Sequence, residues 1–134
     1  MMNPCETLEK TKRKIDKVII HCSTTPITMD IGASDIRQWH KNKGWSDIGY
    51  HFVIRRDGEV ELGRSIHRMG AHVKGQNYSS IGVCLVGGVN ARLMPEKNYT
   101  DNQWRSLRNV LRLLKLDYPN VSIHGHNEFT KMKA

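Results

Sequence analysis

Cysteine is scarce in this chain: Cys5, Cys22 and Cys84 are the only three among 134 residues, and none stands in a C-x-x-C pair. An odd number cannot all pair, which excludes a disulfide scaffold, and the spacing excludes a zinc ribbon. Isolated cysteines of this kind are most often small buried apolar residues, and Cys84, inside an apolar run, is expected to be one. Long apolar runs are also missing, since no stretch approaches the ~18–20 residues of a membrane-spanning helix. There is no internal repeat and no low-complexity tract, and a charged fraction of 25% is ordinary, which argues against wholesale disorder. Lys12, Arg13 and Lys14 are followed by no apolar segment of signal-peptide length. The expectation is therefore a soluble chain made in the cytoplasm that needs another route to leave it.

What is present is enough for one domain with a real core: 134 residues, 38% of them hydrophobic. The net charge of +8 favours a polyanionic partner. Nucleic acid, an acidic wall polymer and a phospholipid surface all fit, and charge alone selects none of them. No recognised nucleic-acid motif accompanies the charge, so nucleic-acid binding is not expected.

Residues 1–16 are polar and aperiodic and read as a loose arm or short helix. At Lys17 the pattern changes: Val18-Ile19-Ile20 is a β-branched run consistent with a buried strand. Ser34 is suited to cap a helix, with Asp35 in its first turn, Ile36, Trp39, His40 and Lys43 at helical spacing, and Gly44 as the stop. Tyr50 to Arg55 reads as a strand, Asp57-Gly58 as a hairpin turn, and Val60 and Leu62 as its return strand. Residues 63–79 lack a sustained period and read as a long surface loop, the kind of element that carries function. Ser80 to Val86 is the central strand, ended by Gly87-Gly88. Thr100-Asp101-Asn102-Gln103 has the capping-box pattern, followed by Trp104, Leu107, Leu111 and Leu114 at helical spacing and a stop at Pro119. Its basic stripe, Arg105, Arg108, Arg112 and Lys115, is by default a solvated face; its functional reading is a salt-sensitive attraction to anionic wall polymers. A last strand covers residues 121–124. Together these elements predict a single α/β domain with a mixed central β-sheet flanked by α-helices.

Two histidines stand out by position. His21 follows the first strand and His126 follows the last, and strand ends opening into loops are where α/β proteins build sites. Zinc suits such a pair, because it takes neutral imidazole nitrogens and a catalytic site needs three protein ligands with one open position. The alternative is that each is an ordinary polar residue at a strand terminus. His124 reads as structural, His51 as pointing away from Tyr50, and Trp39 and His40 as helix-face packing.

Several segments in this order resemble the type 2 N-acetylmuramoyl-L-alanine amidases. They are Val18-Ile19-Ile20-His21-Cys22-Ser23, Gly49 to Ile54 with Arg56-Asp57-Gly58, His72-Val73-Lys74-Gly75 with Asn77, Ser80 to Gly88, and Gly125-His126-Asn127-Glu128. The resemblance runs from about Lys17 to Ala134. It implies an amidase or peptidoglycan-recognition-like fold over residues 17–134 and a zinc cofactor. The reaction implied is hydrolysis of the bond between the lactyl group of N-acetylmuramic acid and L-alanine in peptidoglycan, by a phage or prophage endolysin.

Carried over by motif, His21 and His126 match the two histidine zinc ligands. Tyr50 matches the tyrosine that acts on the attacking water or the developing charge, and Lys133 the lysine two positions before the third ligand. His72 and Asn77 fall in the loop expected to line the groove, as contacts to the muropeptide or as loop structure. The family's third ligand is a cysteine in Ala-Cys-Pro, and it would fall just past Ala134, so the domain is expected to be cut short there. Cys22 should face away from the metal, because neighbours along an extended segment point to opposite faces. Family members without that cysteine bind muropeptides and do not cut them, so the competing reading is a non-catalytic binding module. Binding to a phage RNA polymerase is implied by analogy only. The remaining expectations are no membrane partner, a monomer, and action on the wall after release from the cytoplasm.

Overall fold

The computed structural model describes residues 8–126. Its elements run β1 (Lys17–Cys22), α1 (Ala33–Asn42), β2 (Phe52–Ile54), β3 (Val60–Leu62), a 3-10 turn (Asn77–Ser79), β4 (Ser80–Leu85), α2 (Asp101–Asp117) and β5 (Ser122–Gly125). The five strands form one sheet in the order β3-β2-β4-β1-β5. β1 is parallel to both β4 and β5, β2 is parallel to β4, and only the β2–β3 hairpin is antiparallel. This is the mixed α/β sheet that the pattern predicts.

All six residues of β4 are buried, as expected of a strand covered on both faces. Ile81, Val83 and Leu85 pack with Val18, Phe52 and Ile54 against Leu107, Val110 and Leu114 of α2. Cys84 and Val53 pack on a second cluster with Ala33 and Ile36 of α1. The alternation of side chains along β4 thus feeds two cores, one under each helix.

The ends of the helices show which expectations were local. At α2 the capping box is as written in the sequence: the Gln103 N–H donates to Thr100 Oγ1 at 3.0 Å, and the Thr100 N–H donates to Gln103 Oε1 at 2.9 Å. Gln103 is fully buried and its Nε2 also donates to the carbonyls of Ile54 and Val86, so one side chain caps the helix and ties two parts of the sheet to it. At α1 the cap is Gly32, not Ser34. Two carboxylates take the first free N–H groups instead: Asp35 accepts from Gly32 and Glu61 accepts from Ala33, at 3.0 and 2.8 Å. A side chain at position 32 would collide with Glu61 and Arg55.

Two other segments depart from expectation. Residues 8–16 are not a loose arm: Ile15 and Thr11 are buried, and the Thr11 N–H donates to the Tyr118 hydroxyl. Residues 63–79 are not simply a surface loop, since Ile66, Gly70, His72 and Val73 are buried. Buried backbone carbonyls need donors, and two arginines provide them for this loop and the chain beside it. Arg13 donates to the carbonyls of Ile66, Asn77, Tyr78 and Ser80, and Arg64 to those of Asp47, Ile48 and Met69.

Replacing Gln103 by Met keeps the volume but removes its two donations to the carbonyls of Ile54 and Val86 and the acceptor of the Thr100 N–H. Gln103→Met is expected to lower the unfolding free energy by roughly 1–3 kcal/mol, read as a shift of the denaturant midpoint at unchanged m.

Candidate active site

β1 and β5 run parallel and in register, with Ile20 opposite Gly125, so the residues that follow emerge side by side at the same end of the sheet. The His126 N–H donates to the Ile20 carbonyl at 3.0 Å, which continues the ladder one step and fixes that imidazole beside His21. The result is a close pair: His21 Nδ1 lies 2.7 Å from His126 Nδ1, with the rings edge-to-face at 4.7 Å between centroids. The sequence separation is bridged by sheet topology alone.

His21 is buried, and burial first, then the neighbouring His126, pushes its pKa down to about 3. It is neutral near pH 7, so its imidazole carries one lone pair and one N–H. Two convergent imidazole nitrogens at the mouth of a cleft fit the ligand chemistry of zinc. Among the described residues no set of three His, Cys, Asp or Glu side chains is placed to hold a metal ion. Cys22 Sγ lies against Gly88 and next to Tyr99. Cys5 and Lys133 lie outside the described residues.

Tyr50 stands 5.1 Å from His21, ring to ring. Its phenol is buried beside the Cys84 and Cys22 thiols, and burial foremost raises its pKa, so it stays protonated as a hydrogen-bond donor. The chain just ahead of it is held from α1, because the Gly49 N–H donates to His40 Nδ1 at 2.9 Å. His40 is therefore more than helix-face packing, a role that its helical spacing did not reveal. A cleft of about 720 Å³ opens over His21, His126 and Tyr50, with Tyr99, Trp104 and Leu107 among its apolar lining.

His72 and Asn77 sit behind this site. His72 is buried with its ring edge-to-face on His21, and His72 Nδ1 is 2.8 Å from His21 Nε2. Asn77 Oδ1 accepts the N–H groups of both His72 and Val73 at 2.9 Å. Of the two readings for these residues, muropeptide contact or loop structure, the geometry shows His72 packed against a site residue and Asn77 holding the backbone that carries it.

The family model for N-acetylmuramoyl-L-alanine amidase matches residues 11–134. The chain belongs to this amidase family. It is 50% identical over 119 residues to the endolysin of Klebsiella phage KP32, covering 88% of this chain and 79% of that one. It is 44% identical to the endolysin of Escherichia phage T7, covering 89% and 79%. Among solved structures, the N-acetylmuramoyl-L-alanine amidase LysC from Clostridium intestinale superposes with a TM-score of 0.76 at 29% identity, over 87% of this chain and 72% of that one. A Drosophila peptidoglycan-recognition protein, the PGRP-LB Y78F mutant in complex with tracheal cytotoxin, gives 0.71 at 26% identity, over 92% and 76%. The fold is the one shared by these amidases and recognition proteins.

The buried histidines also set an acid limit on this amidase domain. His51 accepts the Gly82 N–H at Nδ1 and donates from Nε2 to the Arg68 carbonyl, so it is neutral in the fold. Burial above all pushes its pKa down to about 4. Below about 6.5 the unfolded chain takes up a proton that the folded one refuses until about pH 4. Stability is expected to fall as pH drops through that window and to be insensitive to this group above it. Unfolding free energies measured from pH 7.5 to 4 check this: the slope should be shallower in His51→Asn, which keeps an acceptor at the Nδ1 position without the titration.

Proposed function

We propose that this amidase is a zinc enzyme of the endolysin type. It would hydrolyse the amide between the lactyl group of N-acetylmuramic acid and the L-alanine of the stem peptide. The observation that carries this reading is the convergence of His21 and His126 through their Nδ1 atoms, 2.7 Å apart, at the mouth of a cleft. When bound there, zinc supplies an acidified water near neutral pH and a polarised scissile carbonyl.

The chain's own residues have distinct tasks. His21, neutral because it is buried, and His126 beside it would hold the metal. Tyr50, kept protonated, would donate to the oxygen that becomes negative when the carbonyl carbon turns tetrahedral, where a fixed donor counts most. Lys133 is assigned by its motif to the same charge. The cleft over these residues would seat the muropeptide, with Tyr99 and Trp104 excluding water from one side. His72 and Asn77 would support the muropeptide site from behind, through His21 and the loop backbone.

Such an enzyme would be made in the cytoplasm and reach the wall after release. Among the described residues, no helix is long and apolar enough to cross a membrane.

The second reading, a module that binds muropeptide without cutting it, is favoured by one observation: among the described residues no third ligand joins the two histidines. Digestion of purified peptidoglycan with added zinc, followed by mass spectrometry, separates the two. The amidase reading predicts stem peptides with a free L-alanine amine, lost on chelation and in His21→Ala and His126→Ala. Tyr50→Phe should cut the rate by about 10²–10³ while zinc content stays unchanged. Retention of muropeptide with no zinc-dependent release would overturn the amidase reading and establish the binding module.

A further inference from the structure

The geometry behind the histidine pair supports one step more, which rests on the zinc reading above. We propose that His72 is a positioning residue that fixes the tautomer of His21, so that His21 presents an unprotonated Nδ1 to the metal. A neutral imidazole has one N–H and one lone pair, so the partner of one nitrogen decides what the other can do. His21 Nε2 faces His72 Nδ1 at 2.8 Å, and His72 Nε2 faces Ser80 Oγ at 3.3 Å. If His72 donated to His21, the His21 proton would move to Nδ1 and block the lone pair aimed at the metal. With His72 as acceptor, its own proton sits on Nε2 and is received by the Ser80 hydroxyl. The donation then runs in one direction, His21 to His72 to Ser80, and leaves His21 Nδ1 free. Metal-binding histidines usually rely on a carboxylate, carbonyl or water for this; here the acceptor is a second imidazole.

The fold makes room for that imidazole and no larger arrangement. A Cβ at Gly82, in the middle of β4, would fall 2.8 Å from His72 Cγ and Cδ2, and a Cβ at Gly70 would fall 2.7 Å from Cδ2. Two glycines thus form a slot in which the ring lies flat, while Asn77 Oδ1 holds the backbone N–H of His72 itself. A residue present only to fill space would not need a slot cut to its ring or a hydrogen-bond partner at each nitrogen.

The test is zinc affinity, measured on the whole chain by competition with a chromophoric chelator, together with long-range ¹H–¹⁵N spectra of the histidine rings. His72→Leu, which removes the acceptor, should weaken zinc binding about 10–100-fold. His72→Asn, whose Oδ1 replaces the Nδ1 acceptor, should stay close to the unsubstituted chain. His72→Gln, whose amide lies beyond that position, should behave like His72→Leu and serves as the loss variant if the leucine chain does not fold. The spectra should show His21 protonated at Nε2 in the zinc-loaded chain and in His72→Asn, and no fixed Nε2–H pattern in the loss variants. Equal affinities in the Asn and Gln variants, with zinc binding still dependent on His21 and His126, would overturn the role of His72 and leave the zinc reading intact. Zinc binding that is absent, or indifferent to His21 and His126, would overturn both.

Discussion

Two imidazole nitrogens facing each other at 2.7 Å impose a condition on everything around them. They cannot both be charged, because two imidazolium ions at that distance would repel each other in a setting with little water to screen them. Burial of His21 meets the condition from one side, and the packing of His72 and Tyr50 around it maintains that burial. The parallel register of β1 and β5 meets the positional condition, since a slip of one residue would turn His126 to the other face of the sheet. The sheet is thus the device that turns two distant histidines into a pair, and the helices hold the sheet.

The polar interior follows from the same requirement. Residues 63–79 run beside the site with Ile66, Gly70, His72 and Val73 buried, and the guanidinium groups of Arg13 and Arg64 donate to the carbonyls of Ile66, Met69, Asn77 and Tyr78 within them. The loop in turn carries His72 into the slot between Gly70 and Gly82. Arg13 belongs to the N-terminal segment, so that segment is part of the architecture of the site and not an appendage.

What could be read in the sequence was what local chemistry decides. The capping box at Thr100 and Gln103, the Asp57-Gly58 turn and the buried run of β4 are fixed by neighbours a few residues away, and all three stand as expected. The family and its fold were legible as well, through motifs spread along the chain, and so was the placement of His21, His126 and Tyr50 around one cleft. The start of α1 was not, because Glu61 reaches the Ala33 N–H from the β2–β3 hairpin. The setting of His72 was not legible either. Its motif marks it as important, but whether it faces the cleft or the back of His21 depends on two glycines that only the folded chain brings against its ring. The roles of Lys133 and Cys5 lie outside the described residues.

Anomalous diffraction at the zinc edge from zinc-loaded crystals would show whether His21 and His126 hold a metal through Nδ1. One strong peak is expected at about 2.0–2.1 Å from both Nδ1 atoms, facing the cleft beside Tyr50. Zinc absent from this position, or bound through Nε2 of either histidine, would contradict that assignment.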